Sequence, residues 1–529
     1  MKRSLALAAV LVRPVSLVAG EALDLDMMTR IRDEGFHRSQ VMETAAQLTD
    51  VIGPRLTGSP AQRRASEWTR KQLEDWGLSG ARLEPWGRFG RGWSFDRATV
   101  SLVAPEKVPL IALPRAWTPG TGGPKRARAV QAKLESEPDL EKWKGQVRGA
   151  VLLTGEARDL KAKVREVSLY SEAQLDELVQ FEVPGPRDDK EREEARKRRP
   201  FLRALRQWLA DEGVLATVEP SVRDGGTLRV MGGGSREPGE PTGVTSLVMA
   251  AGHYNRLLRL LERKVEVELE VDVLATFHDD DLFAANTIAE IPGAAPRGEV
   301  VMLGAHLDSW HTGGGATDNA AGVAVVMEAV RILKAVGARP RRTIRIALWT
   351  GEEQGLLGSR AYVSQNFASR PEDPEEKDLP SYLRTDKGPL TLKPAHGLLS
   401  AYFNLDNGTG KVRGVYLQEN AATAPIFKAW LEPFADLGAS TLTLRKTGST
   451  DHVPFDRAGL PGFQFIQDEV EYRATTDFEA FGTHHTNMDT YDRLRREDLM
   501  QASVIMAAFV WNAASRESLL PRRPLPKDP

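Results

Sequence analysis

EVVMLGAHL (299–307), AAGVAVVMEAVRILKAVG (320–337) and TIRIALWTGEE (343–353) decide the fold. The first and last are near-continuous apolar strands, and the middle one is a long apolar helix closed by Gly337. Strands of this kind alternating with helices form a largely parallel sheet covered on both faces. From about residue 283 onward the chain is therefore expected to be α/β, a mixed, largely parallel sheet sandwiched by helices. Ligands of such sheets bind at the carboxyl ends of the strands, and residues with chemistry fall there.

Five segments supply them: GAHLDSW (304–310), ATDNAAG (316–322), TGEEQGLLGS (350–359), NLDNG (404–408) and HHTNMDT (484–490). Each sets His, Asp or Glu beside residues that end a strand or build a tight loop. Neutral imidazole and carboxylate oxygen suit catalytic zinc, and a pair of ions needs a bridging carboxylate. His306 ends a strand, and the Asp308 carboxylate is expected to take its other ring N–H and fix the tautomer. Asp318 follows three glycines and precedes the long helix. It reads as an N-cap or as a carboxylate with both oxygens free to bridge two cations. Of Glu352 and Glu353, one can ligate while the other acts as base on a water. Asp406 ends the strand YFNLD. His484 and His485 are adjacent, so one of them is expected to reach the metals. Asp489 and Asp492 read as supporting or ordinary turn acids.

Several chemistries are absent. GSTDHVPF (448–455) holds Ser449, Asp451 and His452, but the chain has no G-x-S-x-G elbow, and these groups are too close in sequence for a triad. They are expected to line the cleft. There is no H-E-x-x-H helix and no Walker loop. The absence of cysteine removes disulfides, thiolate zinc sites and thiol nucleophiles.

The 529 residues are too many for one ordinary core, so two domains are expected. With 41% hydrophobic and 27% charged residues the composition is that of a soluble globular protein. The net charge of -2 gives no reason to expect a nucleic-acid partner or an anionic membrane. No stretch reaches membrane-spanning length. Met1-Lys2-Arg3, the apolar run from Ser4 and the small residues near Ala19 to Ala22 read as a signal peptide over 1–22, implying export.

HRSQVMETAAQLTD (37–50) and QRRASEWTRKQLED (62–75) read as amphipathic helices around the turn-rich IGPRLTGSP. They belong to an N-terminal part of the main domain, 23–104. The stretch 105–275 differs: a strand candidate GAVLLTGE (149–156), a charged helix whose run 188–199 reads as a solvated face, the glycines MGGGS (231–235) and the alternating KVEVELEVDV (264–273). It reads as an inserted, smaller, mainly-β domain. The main domain resumes over 276–515 with a surface excursion at 369–389, and 516–529 is a tail.

GAHLDSW, DNAAG, GEEQGLLGS, NLDNG and HHTNMDTYDRL resemble metallopeptidase family twenty-eight, the aminopeptidase S, aminopeptidase Y and plasma glutamate carboxypeptidase type. The resemblance covers roughly 283–515. It implies two zinc ions, with His306 and Asp406 as terminal ligands of different ions, Asp318 bridging, and Glu353 and His485 completing the set. Glu352 is then the general base, with Asp308 beside it in the catalytic group. The resemblance also implies a cis Asp318–Asn319 bond and a protease-associated label for 105–275. The dinuclear aminoacylase type shares H-x-D and paired glutamates but not the DNAAG segment. The implied activity is hydrolysis at a peptide chain terminus, by an aminopeptidase or else a carboxypeptidase or dipeptidase. A receptor-like binding ectodomain is the remaining alternative, and here no ligand residue is missing. Acids near the motifs (Asp308, Asp451, Asp468, Glu469) outnumber bases such as Arg473 and Arg493, which tilts the expectation toward recognition of a free α-amine.

Overall fold

The computed structural model describes residues 21–160, 169–182, 190–294, 298–376, 379, 384, 387–470, 472 and 482–525. The expected leader up to residue 20, parts of the 369–389 excursion, Arg473 and residues 526–529 lie outside them.

The apolar strands of the opening segments lie at the centre of an eight-stranded sheet. Val300–His306 runs parallel to Thr343–Trp349 on one side and to Leu399–Asn404 on the other. Gly462–Gln467 continues the parallel run beside Leu399–Asn404. Antiparallel pairs flank this run: Phe283–Ile291 joins Thr343–Trp349, Ser79–Arg88 joins Phe283–Ile291, and Val412–Tyr416 joins Gly462–Gln467, with Thr441–Thr443 added parallel at that edge. The sheet is thus mixed, with its parallel part where the apolar runs are. Every residue of Val300–His306 is buried, as a strand covered on both faces requires.

Helix Ala321–Ala335 is buried from Ala321 to Leu333, packed on the sheet beside helix Arg496–Ser515 and covered by helices Leu25–His37 and Val41–Ala46. A helix apolar on all sides is stable only in such an interior position. Its two buried charges are matched there: Arg331 Nε donates to Glu328 at 2.7 Å and its Nη1 to Glu34, also at 2.7 Å. The 62–75 helix forms as Pro60–Asp75, with Ser59 capping through its hydroxyl and proline in the first turn. HRSQVMETAAQLTD is helical from Val41 and changes to a π-helical turn over Gln47–Ile52.

A second eight-stranded sheet takes its strands from Gly92–Ala104 through Glu268–His278, which pair antiparallel along their length. Its other strands include Val151–Leu153, Ala216–Pro220 and Thr245–Met249, which run parallel to one another. Helices Lys190–Asp211 and Ala251–Glu262 accompany it. This sheet has its own apolar core, which includes Val151, Val218, Leu247, Leu257 and Val271. No helix among the described residues is long and apolar enough to cross a membrane.

Candidate metal centre

Register alone brings most of the predicted residues together. His306 is opposite Trp349, so the turn Gly351-Glu352-Glu353 leaves the sheet beside it. Gly304 is opposite Asn404, so Asp406 emerges on the other side. Asp318 comes from the turn before helix Ala321–Ala335, across a cis Asp318–Asn319 bond. His484 and His485 arrive from the loop after the last parallel strand.

Asp318 stands between two groups. His306 Nε2 is 3.2 Å from Asp318 Oδ1 and 3.4 Å from Asp406 Oδ1. His485 Nε2 is 3.2 Å from Asp318 Oδ2 and 2.9 Å from Glu353 Oε2. One carboxylate oxygen therefore faces the His306–Asp406 side and the other the His485–Glu353 side. Both adjacent histidines lie near Asp318: the chain turns at His485 with φ 59°, and His484 Nε2 is 3.8 Å from Asp318 Oδ2. The ligand atoms of His306, Asp318 and Glu353, and those of Asp318, His484 and His485, lie within 4.8 Å of one another.

The electrostatics follow from crowding in a dry site. Burial would lower His306, but the Asp406 and Glu352 carboxylates outweigh it and hold it well above the usual imidazole value. Burial would lower His485 too, yet Glu353 and Asp318 raise it to about 10. Glu352 is pushed well above the carboxylate range by burial, reinforced by Asp406, Asp451 and Glu353 against the opposing His306. Burial and Asp318 raise Glu353 to about 7. Yet His306 Nε2, Asp318 Oδ2, Glu353 Oε1 and Asp406 Oδ1 are buried with no hydrogen-bond partner. Converging lone pairs without donors in a buried site fit a cation.

Other side chains hold this set in place. Asp489 Oδ1 accepts from Thr317 N and Oγ1, both at 2.7 Å, and Oδ2 accepts from Asp318 N at 3.1 Å. Asp492 is exposed and takes no part. The Asp308 carboxylate does not take the His306 N–H as expected. His306 Nδ1 donates to the Asp308 backbone carbonyl at 3.0 Å, which still leaves Nε2 as the lone-pair nitrogen. The fully buried carboxylate finds stronger compensation elsewhere, accepting from Thr57 Oγ1 at 2.8 Å and from the Glu352 amide at 3.3 Å. GSTDHVPF does not assemble a triad: Asp451 accepts from Ser359, and His452 Nε2 bonds the Thr447 carbonyl at 3.1 Å. Of the acids in the α-amine argument, Asp468 accepts from the Tyr170 amide at 3.0 Å and faces Arg413 at 3.5 Å.

Nothing in the local pattern of IGPRLTGSP marks Arg55 as part of the site. It is fully buried, and its guanidinium donates to the carbonyls of Leu48, Gly53, Leu307, Gly314 and Gly315 at 2.7–3.1 Å. Burial lowers it to about 10 against the pull of Asp489 and Asp308. Gly315 has φ 59°, and a Cβ there would meet Ser309 Cβ at 2.4 Å and Arg55 Nη2 at 2.9 Å. Only glycine lets the loop before Asp318 wrap the arginine this closely.

A mixed α/β sheet with this acid–histidine cluster at its carboxyl edge defines the class, a metal-dependent hydrolase. Residues 286–510 match the model for peptidase family M28. Those residues carry the family's peptidase domain, and the chain is a metallo-exopeptidase. Carboxypeptidase Q of Homo sapiens is 23% identical over 491 residues, 92% of this chain and 88% of the relative. Aminopeptidase YwaD of Bacillus subtilis is 31% identical over 219 residues, 41% of this chain and 42% of the relative. Among solved structures, a peptidase M28 precursor from Shewanella amazonensis aligns with TM-score 0.62 at 23% identity, covering 95% of this chain and 99% of that one. BSAP, a zinc aminopeptidase from Bacillus subtilis, aligns with TM-score 0.54 at 18% identity, covering 90% and 95%. These two share the fold.

Proposed function

We propose that this chain is a zinc-dependent exopeptidase that uses two ions and removes the N-terminal residue of peptides. The observation that carries this reading is the set of buried, unpartnered lone pairs on His306, Asp318, Glu353 and Asp406. His306, Asp406, Glu353 and His485 would hold the ions, and Asp318, with one oxygen toward each side, would bridge them. Zinc bound there would lower the pKa of water and polarise the scissile carbonyl.

This chain's residues do the rest. Glu352 accepts a proton from the attacking water and delivers it to the leaving nitrogen. Burial and the neighbouring carboxylates raise Glu352, and a cation held by the set would offset that rise, so the carboxylate form would be accessible near neutral pH. Asp308 receives the Glu352 amide and so positions the base. The His306 Nδ1–H bond to the Asp308 carbonyl fixes the ring. Export, read from residues 1–22, and a separate unit built on the second sheet belong to the same proposal.

A second reading, a carboxypeptidase or dipeptidase, is favoured by one observation. Asp468 already has two partners, which weakens the acidic side of the α-amine argument. The test compares Leu-p-nitroanilide, a free dipeptide, its N-acetylated form and its C-amidated form. Cleavage of the anilide and the amide with rejection of the acetylated peptide is expected of an aminopeptidase. Loss of cleavage on amidation, with the free dipeptide still cut, transfers the assignment to the second reading.

A further inference from the structure

The loop that carries His485 is held from two sides. On the side of the main sheet it packs against the glycines before Asp318: a Cβ at Gly313 would lie 2.5 Å from the Thr486 carbonyl oxygen. Thr483 Oγ1 also lies 2.8 Å from Thr317 Oγ1. On the other side stands a segment of the second sheet's unit, Leu228-Arg229-Val230. The Val230 amide donates to the His485 carbonyl at 3.2 Å, and the Asn487 amide donates to the Leu228 carbonyl at 3.1 Å. These bonds flank Arg229 and Thr486, which face each other as an antiparallel bridge. A further bond comes from a side chain: Asn487 Oδ1 accepts from the Leu228 amide at 2.7 Å.

The segment is itself anchored in the second unit. Leu228 and Val230 are fully buried and pack with Val248 and Ala250, and Val248 belongs to strand Thr245–Met249. Ser221 Oγ donates to the Thr227 carbonyl at 2.7 Å, and the Met231 carbonyl accepts from the Ala116 amide at 3.1 Å. The side chains at 228 and 230 thus fill the second unit's interior, while the backbone of the same residues binds the loop of His485.

His485 needs that support more than the other residues of the set. His306, Glu353 and Asp406 stand at or just beyond the ends of central strands, whose ladders fix them. The Asp318 amide is held by Asp489. His485 lies in a turn and takes φ 59°, a left-handed conformation that a residue with a side chain keeps only where its surroundings enforce it. The bond from Val230 ends on the carbonyl of His485 itself, and Asn487 closes the bridge two residues on.

We propose that Asn487 is a positioning residue: with Leu228–Val230 it clamps His485 to the second sheet's unit. The ion on the His485–Glu353 side then depends on the docking of that unit, and the ion on the His306–Asp406 side does not. This rests on the two-ion reading and deepens it, since it gives the second unit a part in holding one ion. By linkage, whatever factor the docked segment adds to zinc affinity, zinc returns to the docking.

Apoprotein is titrated with zinc by calorimetry as wild type, His485→Ala, Asn487→Leu and Asn487→Asp, and amide hydrogen exchange over 226–232 is followed with and without zinc. His485→Ala marks which of the two binding steps belongs to its side. Asn487→Leu, close in size but without the acceptor oxygen, is expected to weaken that step about fivefold, the scale of one hydrogen bond, and to leave the other unchanged. Zinc is expected to slow exchange of the Leu228 and Val230 amides in wild type, and to do so less in Asn487→Leu. Asn487→Asp keeps the acceptor and is expected to restore the exchange response. A variant that merely loosened the fold would weaken both steps together. Equal weakening of both steps, no weakening of either, or Leu228 and Val230 amides indifferent to zinc overturns the clamp. If wild type takes up a single ion, the two-ion reading falls, and the response of those amides alone decides the clamp.

Discussion

Replacing Arg55 tests whether the loops of the metal centre are held from the N-terminal segment. Arg55→Met keeps much of the volume but removes all five donor contacts, three of which end on Leu307, Gly314 and Gly315 around His306 and Asp318. A buried acceptor left without a donor costs about 1–3 kcal/mol. Against that stands the desolvation of the guanidinium, a cost that methionine does not bear and that is already visible in the lowering of Arg55 to about 10. The balance is about 3 kcal/mol of lost stability, near the lower end for breaking a buried charged network. At about 2 °C per kcal/mol for a chain of this length, the melting temperature falls by about 6 °C. Activity is expected to fall further than stability, since a shift of ~1 Å in a catalytic constellation can cost about a hundredfold. Arg55→Lys fails to rescue, because one ammonium cannot reproduce a planar fork aimed at carbonyls on several segments. Differential scanning calorimetry and kcat/KM on the cleaved peptide check both. A melting temperature within about 1 °C of wild type and kcat/KM within about twofold would show that the loops hold themselves, and would refute the argument.

Protein purified without chelator is expected to contain two divalent ions per chain, about 3.5–4 Å apart; elemental analysis finding none, or one that zinc titration cannot raise to two, removes the dinuclear reading. Glu352→Gln should abolish turnover while retaining both metals, whereas Glu353→Ala should also lose metal, so near wild-type kcat in Glu352→Gln displaces the base assignment. Burial lowers both His311 and His452 from 6.5 to about 4. Between those values the unfolded chain binds protons that the folded chain does not, so stability is lost as pH falls through about 6.5 toward 4, by up to about 3 kcal/mol for each histidine. Urea midpoints at pH 5 and 7.5 check this; His311→Gln, which keeps a donor near the Pro114 carbonyl, should lessen the difference, and an unchanged difference counts against it.

The alternation of apolar strands and helices over 299–353 determined the parallel centre of the sheet. It also determined the edge where the chemistry would lie, because a strand's last residue and the loop after it cannot be far apart. For the same reason His306, Glu352, Glu353 and Asp406 were legible as strand-end residues, and register then brought them together. Periodicity reports which faces of an element are apolar but not what they meet. The charged helix Lys190–Asp211 thus read as solvated, although one of its faces borders a cavity beside Glu353. Nor does local pattern reveal a buried charge satisfied by backbone carbonyls: Arg55 and Leu307 are 252 residues apart, and nothing near Arg55 marks the pairing. The orientation of the Asp308 carboxylate was likewise decided by Thr57 and the Glu352 amide, donors brought to it by the packing of distant segments. Chain connectivity placed the metal-binding side chains at one edge, and tertiary packing decided which groups hold them there and what lines the approach.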